Sequence, residues 1–319
     1  MFLRISNVSK ANDEGFVLND ISFSMNRFQR IAVAGETGSG KSTLLKIIAG
    51  LLQPDSGEVY IHEEKVKGPD ENLVAGHPQI AYLSQQFDLA HFLRVEQVLE
   101  YANTLSAKEA TAIFQVCRID HLLHRKTDQL SGGEKQRIAI ARLLIGKPSL
   151  LLLDEPFTNL DMVMEGVLKN VIDDIGRKLK ITCIMVSHDP ADTLSWADQI
   201  LVLKDGNVVQ RGTPQSIYHE PVNEYVAGLF GTYNLLTTGQ QKTLRMKPST
   251  SHVLVRPEGF RIFRKKDINR FKVDEARFYG HFYELKLTYR QLSVWVATTQ
   301  DKYRPGDMAE ISFIHSRKK

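Results

Sequence analysis

The chain has 319 residues, of which 42% are hydrophobic and 24% are charged, a composition typical of soluble globular proteins. This length suits two domains. No stretch approaches ~18 consecutive apolar residues, so we expect no membrane span, and because the start MFLRISNVSK lacks the basic-then-apolar layout of a signal peptide we expect none. Residues 1–234 hold 23 Lys and Arg against 29 Asp and Glu (−6), whereas residues 235–319 hold 18 against 8 (+10), so we predict two separately folded units.

The predicted elements begin with short apolar alternations broken by Gly, Asn and Asp, which are typical of strands. We assign four such segments to a mostly antiparallel layer: LRISNVSK, FVLNDISFSM, RIAVAGE and GEVYIHEEKV. The apolar spacing then becomes helical from about residue 87 to 144. Strands and helices alternate after that, which predicts a parallel sheet covered by helices. Beyond residue 239 the helical pattern stops and short strands return, which predicts a small barrel or sandwich.

A phosphate-binding loop is indicated by residues 35–42, GETGSGKS, which match G-x-x-x-x-G-K-[ST] between a predicted strand and a predicted helix. The glycines let backbone N–H groups point inward and form an anion nest at the helix N-terminus. We predict that Lys41 reaches the β- and γ-phosphates, that Ser42 ligates Mg²⁺ and that Thr43 contacts the α-phosphate. The other residues of the predicted cradle are Gly35, Glu36, Thr37, Gly38, Ser39 and Gly40.

Two acidic residues end the apolar strand LLLLDEP at residues 150–156. We predict that Asp154 belongs to the Mg²⁺ shell and that Glu155 orients or deprotonates the attacking water. The pair favours a water-activating ATPase over a kinase or a switch GTPase, for which a single carboxylate would be compatible. A further apolar strand ends at His188, which we expect to contact the γ-phosphate.

A second glycine-rich turn, LSGGEKQR at residues 130–137, lies far along the chain from the first. Residues 2–231 contain four motifs in the order GETGSGKST, LSGGEKQR, LLLLDEPFTNLD and IMVSHD. Through these motifs they resemble the nucleotide-binding subunit of an ATP-binding cassette (ABC) transporter. The resemblance implies an α/β fold, namely a P-loop NTPase cassette with an antiparallel β layer and a helical subdomain at about residues 87–142.

The resemblance also implies why a second turn exists. In a head-to-tail homodimer, the unpaired N–H groups of Ser131, Gly132 and Gly133 would cap the γ-phosphate of an ATP bound by the other chain. Asp161, in the NLD turn, would contact the opposite subunit. Closure around two ATP molecules, and opening after hydrolysis, would move the attached membrane proteins.

Two nucleotide contacts have alternatives. Gln85 corresponds to the family glutamine that senses Mg²⁺ and water and marks contact with the membrane subunits, and Gln86 is the neighbouring alternative. The family position that stacks on adenine falls at Asn12, whereas the nearest aromatic residue, Phe16, is expected to belong to a strand. The residue that contacts adenine is therefore left open.

The tail resembles the small oligonucleotide-binding-like β domain of importer ATPases for sugars, polyamines, iron(III), sulfate or molybdate. It implies an ATP-hydrolysing, energy-coupling importer subunit that is cytoplasmic and peripheral on the inner face of the cell membrane. The implied cofactors are ATP and Mg²⁺; the implied partners are permease subunits and, indirectly, a substrate-binding protein, and no nucleic acid is expected. The segments that carry this resemblance are GTPQSIYHEPVNEYVAGLFGTYNLL and VLVRPEGFRIF.

Two other functions are considered. A non-transport ABC ATPase of translation or DNA repair usually has two cassettes or a long coiled coil, and the single uninterrupted cassette from Lys41 to His188 argues against it. An exporter subunit is disfavoured only weakly, by the β tail. No residue of the chain is expected to touch the cargo, so the sequence leaves the cargo open.

Overall fold

The computed structural model describes residues 1–12, 15–85, 89–101, 103, 105–249, 252–264 and 270–314. Gln86, the alternative to Gln85, and Phe87, the predicted start of the helical subdomain, lie outside these residues. The last five residues of the predicted β domain, 315–319, lie outside them too. The chain divides into two compact units, Met1–Pro214 and Gln215–Lys319.

The first unit contains ten strands and six α-helices among its described residues. The strands are β1 (Leu3–Asn12), β2 (Gly15–Met25), β3 (Arg30–Ala34), β4 (Ser56–Ile61), β5 (Glu64–Lys65), β6 (Ile80–Leu83), β7 (Leu150–Asp154), β8 (Thr182–Val186), β9 (Gln199–Lys204) and β10 (Asn207–Gly212). The helices are α1 (Lys41–Ile48), α2 (Val95–Glu100), α3 (Ala107–Cys117), α4 (Gly132–Leu144), α5 (Met162–Lys178) and α6 (Pro190–Trp196).

Two sheets form the first unit. The antiparallel sheet has the strand order β2-β1-β4-β5, which confirms the predicted antiparallel layer. The second sheet has the order β10-β9-β3-β8-β7-β6, and all neighbours in it are parallel except β9 and β10. Our assignment of the segment RIAVAGE to the antiparallel layer is wrong: its residues 31–34 are all buried, as suits a central parallel strand.

One apolar core joins the two sheets and helix α1. Four side chains of α1, from Leu44 to Ile48, are buried in it. Burial of each such side chain contributes about 1.5–3 kcal/mol, so the helix that carries Lys41 is held firmly against the sheet. The rest of this core comes from both sheets, for example from Leu3, Leu152 and Ile184.

The second unit is mainly β structure. Its strands are β11 (Asn234–Leu236), β12 (Val253–Val255), β13 (Phe260–Phe263), β14 (Phe271–Phe278), β15 (Tyr283–Tyr289), β16 (Leu292–Thr298) and β17 (Met308–Phe313). Its helices are α7 (Pro214–His219), which starts at the division between the units, α8 (Glu224–Leu229) and α9 (Thr238–Thr243).

A curled five-stranded antiparallel sheet, with the order β13-β17-β14-β15-β16, forms the body of the second unit. Its two edge strands, β13 and β16, contact each other, so the sheet wraps around an apolar core that includes Phe271 and Leu285. The predicted small barrel-like all-β domain is thereby confirmed. The expectation that no helix follows residue 239 is wrong, because α9 extends to Thr243. The sequence signal for this helix is a capping box, in which Gln240 Oε1 accepts a hydrogen bond from Thr237 N–H at 2.9 Å.

Arg256 explains why the division falls before residue 234, the predicted end of the cassette. The buried guanidinium donates bonds to the carbonyl oxygens of Tyr218 (2.9 Å), Ala227 (2.9 Å) and Gly231 (3.0 Å). Helices α7 and α8 are therefore tied to the β structure that follows them. The independent folding of residues 1–234 and 235–319 stays a prediction.

Asn234 joins the small β11–β12 sheet to the curled sheet. Its side chain is 4% exposed, and its amide imitates a strand peptide group: Oδ1 accepts from Trp295 N–H at 2.7 Å while Nδ2 donates to Trp295 O at 2.8 Å. Nδ2 also lies 3.3 Å from Val255 O in β12. One side chain thus closes a gap between two sheets.

We expect Asn234→Ala to lower the free energy of unfolding of the second unit by about 2–4 kcal/mol, because the N–H and C=O of Trp295 lose their partner. The measurement is urea unfolding followed by Trp295 fluorescence in a Trp196→Phe background, which removes the only other tryptophan. Gln291→Ala, an exposed amide in the turn before β16, is the control and should leave the midpoint unchanged. An unchanged midpoint for Asn234→Ala would contradict this role.

Candidate active site

The phosphate loop connects the end of β3 to α1 through glycines that no other residue replaces without strain. Gly35, Gly38 and Gly40 have φ angles of 154°, 85° and 96°, a region that side chains with a Cβ rarely adopt. A Cβ on Gly35 would collide with Leu203 O, and one on Gly40 would collide with Val17 O. The loop geometry therefore requires the glycines of the sequence pattern.

Lys41 folds back over the loop. Its Nζ donates to the carbonyl oxygens of Gly35 at 2.8 Å and Glu36 at 2.6 Å, and the residue is only 7% exposed. Burial lowers the pKa of Lys41, while the carboxylates of Glu155 and Asp154 partly oppose that shift. A bound phosphate would give this buried cation an anionic partner at the loop.

Asp154 is held by two hydroxyl groups from different elements. Ser42 Oγ donates to Asp154 Oδ1 at 2.9 Å, and Tyr82 OH donates to Oδ2 at 2.8 Å. Burial, followed by the hydrogen bond to Asp154, raises the pKa of Tyr82, so the phenol stays a donor. Tyr82 was not predicted as a site residue, and its only sequence signal is a hydroxyl in the apolar strand that precedes Gln85.

Glu155 and His188 form a close pair at the ends of neighbouring strands β7 and β8. His188 Nδ1 lies 2.5 Å from Glu155 Oε2, and Thr158 Oγ1 donates to the same oxygen at 3.4 Å. The backbone of Glu155 has a φ of 52°, which is uncommon for a residue with a side chain. Glu155 N–H donates to Val186 O at 3.1 Å, which holds the unusual turn.

A single cavity of about 690 Å³ brings most of these residues together. That volume lies in the range of small-ligand sites. Val17 and Thr158 are lining residues that the sequence did not indicate. The described lining is Asn12, Val17, Thr37, Gly38, Gly40, Lys41, Ser42, Thr43, Gln85, Glu155, Thr158 and His188.

The position expected to face adenine has a partial structural answer. Asn12 lines the cavity, and Phe16 lies within β2, where it pairs with Ala11. The expectation that Phe16 belongs to the strand is therefore confirmed. Gln85 also lines the cavity, whereas its alternative Gln86 lies outside the described residues.

The second glycine-rich turn does not join the described lining of this cavity. Ser131 is instead the N-cap of α4: its Oγ accepts from Glu134 N–H at 3.3 Å, and Glu134 Oε2 accepts from Ser131 N–H at 2.8 Å. Glu134 thereby completes a capping box. Gly132 and Gly133 form the first turn of the helix.

Asp161 also stands outside the cavity lining and caps a helix. Its Oδ1 accepts from the N–H groups of Val163 at 3.0 Å and Met164 at 2.9 Å, at the start of α5. The predicted site residues thus fall into two groups within one chain, the cavity around Lys41 and the two helix starts at Ser131 and Asp161.

The donor atoms near Asp154 fit Mg²⁺. The Asp154 carboxylate and the hydroxyl of Ser42 supply oxygen atoms, and Gln85 lines the same cavity as Ser42. Mg²⁺ is commonly bound by one or two carboxylates together with substrate phosphates. Among the described residues, no group of three or more His, Cys, Asp or Glu side chains could hold a metal ion. With one carboxylate and one hydroxyl, Asp154 and Ser42 would leave most ligand positions of such an ion to phosphates and water.

Comparison with known proteins decides the family. The family model described as ABC transporter matches residues 18–158. The spermidine/putrescine import ATP-binding protein PotA of Clostridium acetobutylicum is 31% identical over 98% of this chain and 94% of its own length. PotA of Mycoplasma mycoides subsp. mycoides is 32% identical over 98% of this chain and 95% of its own length.

The chain belongs to the ABC transporter family. It is the ATP-hydrolysing, energy-coupling subunit of an ABC importer, as the sequence predicted. None of its described helices combines the length and the apolar character needed to cross a membrane.

Solved ABC cassettes share the fold of the first unit. A dimeric structure of the cassette MJ0796 with ADP and phosphate has a TM-score of 0.57, 28% identity, and covers 66% of this chain and 98% of that chain. The ADP conformation of the cassette MJ1267 has a TM-score of 0.61 and 24% identity over 72% of this chain and 98% of that chain, and supports the fold. The predicted P-loop NTPase cassette is confirmed.

Lys41→Ala should lower the rate of phosphate release from Mg-ATP at least about 100-fold, because the transferred phosphoryl group loses a preorganised positive charge. Lys46→Ala, which removes an exposed lysine from the last turn of the same helix, is the matched control and should keep the wild-type rate. Retention of more than about a tenth of the wild-type rate by Lys41→Ala would contradict the assignment of the phosphate loop.

Proposed function

We propose that this importer ATPase hydrolyses ATP in the cavity around Lys41 and that two copies of the chain close on two ATP molecules. The observation that supports the chemistry is the 2.5 Å contact between His188 and Glu155 at the rim of the phosphate loop. A carboxylate and an imidazole beside an anion nest suit the activation of water next to a terminal phosphate.

In the proposed reaction, Glu155 orients a water molecule and accepts its proton as the water oxygen attacks the γ-phosphorus. The bond between that phosphorus and its bridging oxygen breaks, and ADP and inorganic phosphate leave. Lys41 stabilises negative charge on the phosphates, with the backbone N–H groups of the loop. His188 holds Glu155 and contacts the γ-phosphate.

Asp154, Ser42 and Gln85 are proposed to hold Mg²⁺, which would neutralise charge on the β- and γ-phosphates when bound. The hydroxyl groups of Ser42 and Tyr82 orient the Asp154 carboxylate toward the loop. Both hydroxyls come from elements packed in the same unit, so the oxygen atoms are preorganised.

The group at Ser131 and Asp161 is proposed to act on a nucleotide held by a second copy. The start of α4 offers the N–H groups of Gly132 and Gly133 and a partial positive charge, which suit a γ-phosphate, while the N–H of Ser131 is bonded to Glu134. Ser131, Gly132 and Gly133 would cap that phosphate, and Asp161 would contact the opposite copy. The solved dimer of MJ0796 supports a two-chain arrangement.

The partners follow from the importer relatives. We infer that integral-membrane permease subunits bind the ATPase on the cytoplasmic face of the membrane and that a substrate-binding protein delivers the cargo to them. Polyamines are the proposed cargo, because relatives matched over 92–95% of their length are named for spermidine and putrescine import.

We expect Glu155→Gln to trap an ATP-bound dimer, because the amide keeps the size of the side chain and removes the charge that activates water. Light scattering should report a dimer with Mg-ATP, and with Mg-ADP a monomer or a looser dimer held by the tail. Adding Ser131→Arg should abolish dimer formation with Mg-ATP, because the new side chain would occupy the position where the γ-phosphate held by the other copy must dock.

Ser106→Arg in the same Glu155→Gln background is the matched control. Ser106 caps α3 through the same type of capping box, with Glu109 in place of Glu134, so this change repeats the loss of a cap without touching the proposed interface. If the variant with Ser131→Arg still dimerises on ATP as the Ser106→Arg control does, the turn does not act on a second copy.

The polyamine proposal predicts that host cells whose chain carries Lys41→Ala take up labelled spermidine and putrescine no faster than a deletion strain. The strain should lack other polyamine transporters, and uptake of sulfate and maltose should stay normal as the control. Normal polyamine uptake with loss of another cargo would contradict the cargo and would leave the ATPase assignment intact.

A further inference from the structure

A buried hydroxyl fixes the turn that carries His188. Ser187 follows β8, precedes His188, and is 4% exposed. Its Oγ donates to Asp192 Oδ2 at 2.9 Å and accepts a bond from Asp189 N–H at 3.1 Å. The residues on both sides of His188 are therefore joined to one another and to helix α6.

The other end of this connection is an ion pair between a buried carboxylate and a half-buried ammonium. Asp192 is 3% exposed, and its Oδ1 lies 2.5 Å from Lys169 Nζ in helix α5. Lys169 also pairs with Glu165, and its Nζ lies 5.3 Å from the centre of the Phe157 ring. Because an unpaired buried carboxylate costs several kcal/mol, Asp192 depends on Lys169 and Ser187.

The charges in this group reinforce one another. Burial by itself would lower the pKa of Lys169, but hydrogen bonds from its ammonium to Asp192 and Glu165 hold the pKa above its ordinary value. Lys169 therefore keeps its positive charge, and the helices α5 and α6 are held together through it.

His188 needs such support because its own side chain is largely open. The imidazole is 70% exposed, and its described polar contact is the one between Nδ1 and Glu155 Oε2. An exposed side chain keeps one position only if its backbone is fixed, and a displacement of about 1 Å at a reacting group is enough to cost roughly 100-fold in rate.

We propose that Ser187 and Asp192 are positioning residues that hold His188 against Glu155, anchored to helix α5 through Lys169. The inference rests on the proposed role of His188 in hydrolysis. Neither Ser187 nor Asp192 is part of the described cavity lining, so both act through the histidine rather than on the nucleotide. Because Asp161 is the N-cap of α5, the same ion pair connects a proposed subunit contact to the histidine.

The first test compares two substitutions of one hydroxyl. Ser187→Ala removes both hydrogen bonds, and we expect kcat for Mg-ATP to fall roughly five- to tenfold, the effect of about one net hydrogen bond, while the Kd for ATP changes less than about twofold. Ser187→Thr keeps the hydroxyl and should restore kcat. Ser195→Ala, on the same helix, is the control and should match the wild type, since Ser195 bonds only to Ala191 O among its described contacts.

The second test asks whether the effect passes through His188. Single-turnover rates are measured for His188→Ala, Ser187→Ala and the double variant. We expect no further loss in the double variant, because two residues that act as a unit are not additive. If Ser187→Ala does not fold, Asp192→Asn, which removes the charge paired with Lys169, replaces it in the same comparison of single and double variants.

Each outcome has a distinct meaning. A wild-type rate for His188→Ala would remove the proposed role of the histidine, and the positioning role with it. A strong loss for His188→Ala together with a wild-type rate for Ser187→Ala, or with an additive loss in the double variant, would overturn the positioning role alone. A parallel loss of nucleotide affinity and kcat in Ser187→Ala would also overturn it.

Discussion

The central constraint on this structure is the order of three parallel strands. Strand β8 lies between β3 and β7, and the carboxyl ends of all three meet at one edge of the sheet. The phosphate loop leaves β3, Asp154 and Glu155 end β7, and His188 follows β8. Groups that are far apart in sequence therefore meet around one cavity, and the apolar core beneath them keeps the strands from moving apart.

Carboxylates outnumber ammonium groups around Lys41 at this edge of the sheet. One buried ammonium, that of Lys41, lies among carboxylates; burial lowers its pKa, and Glu155, Asp154 and Glu36 partly oppose that shift. The hydroxyls of Ser42 and Tyr82 stabilise Asp154 without adding positive charge. A site with this balance suits a nucleotide that brings a divalent cation with it, since the phosphates pair with Lys41 and the loop while the cation pairs with the carboxylate.

Several residues combine a local structural task with a proposed functional one. Ser131 and Asp161 each satisfy N–H groups at a helix start, and each also stands at a proposed contact with another chain. Removal of such a cap typically costs about 1 kcal/mol by itself, so loss of activity alone would not separate the two tasks. The capping box at Ser106 repeats the structural task alone, which is what makes it informative beside Ser131.

The sequence by itself determined the features that are encoded locally. Eight consecutive residues make the phosphate loop, two adjacent carboxylates end an apolar strand, and apolar periodicity separates the α/β cassette from the β tail. Tertiary structure alone decided that β3 belongs to the parallel sheet, that Tyr82 holds Asp154, that Asn234 joins two sheets, and that Lys169 and Asp192 support the turn at His188. Each of these features depends on side chains or strands from distant positions in the chain. Such contacts arise only when the core places the elements side by side, and they therefore leave no periodicity or short motif in the sequence.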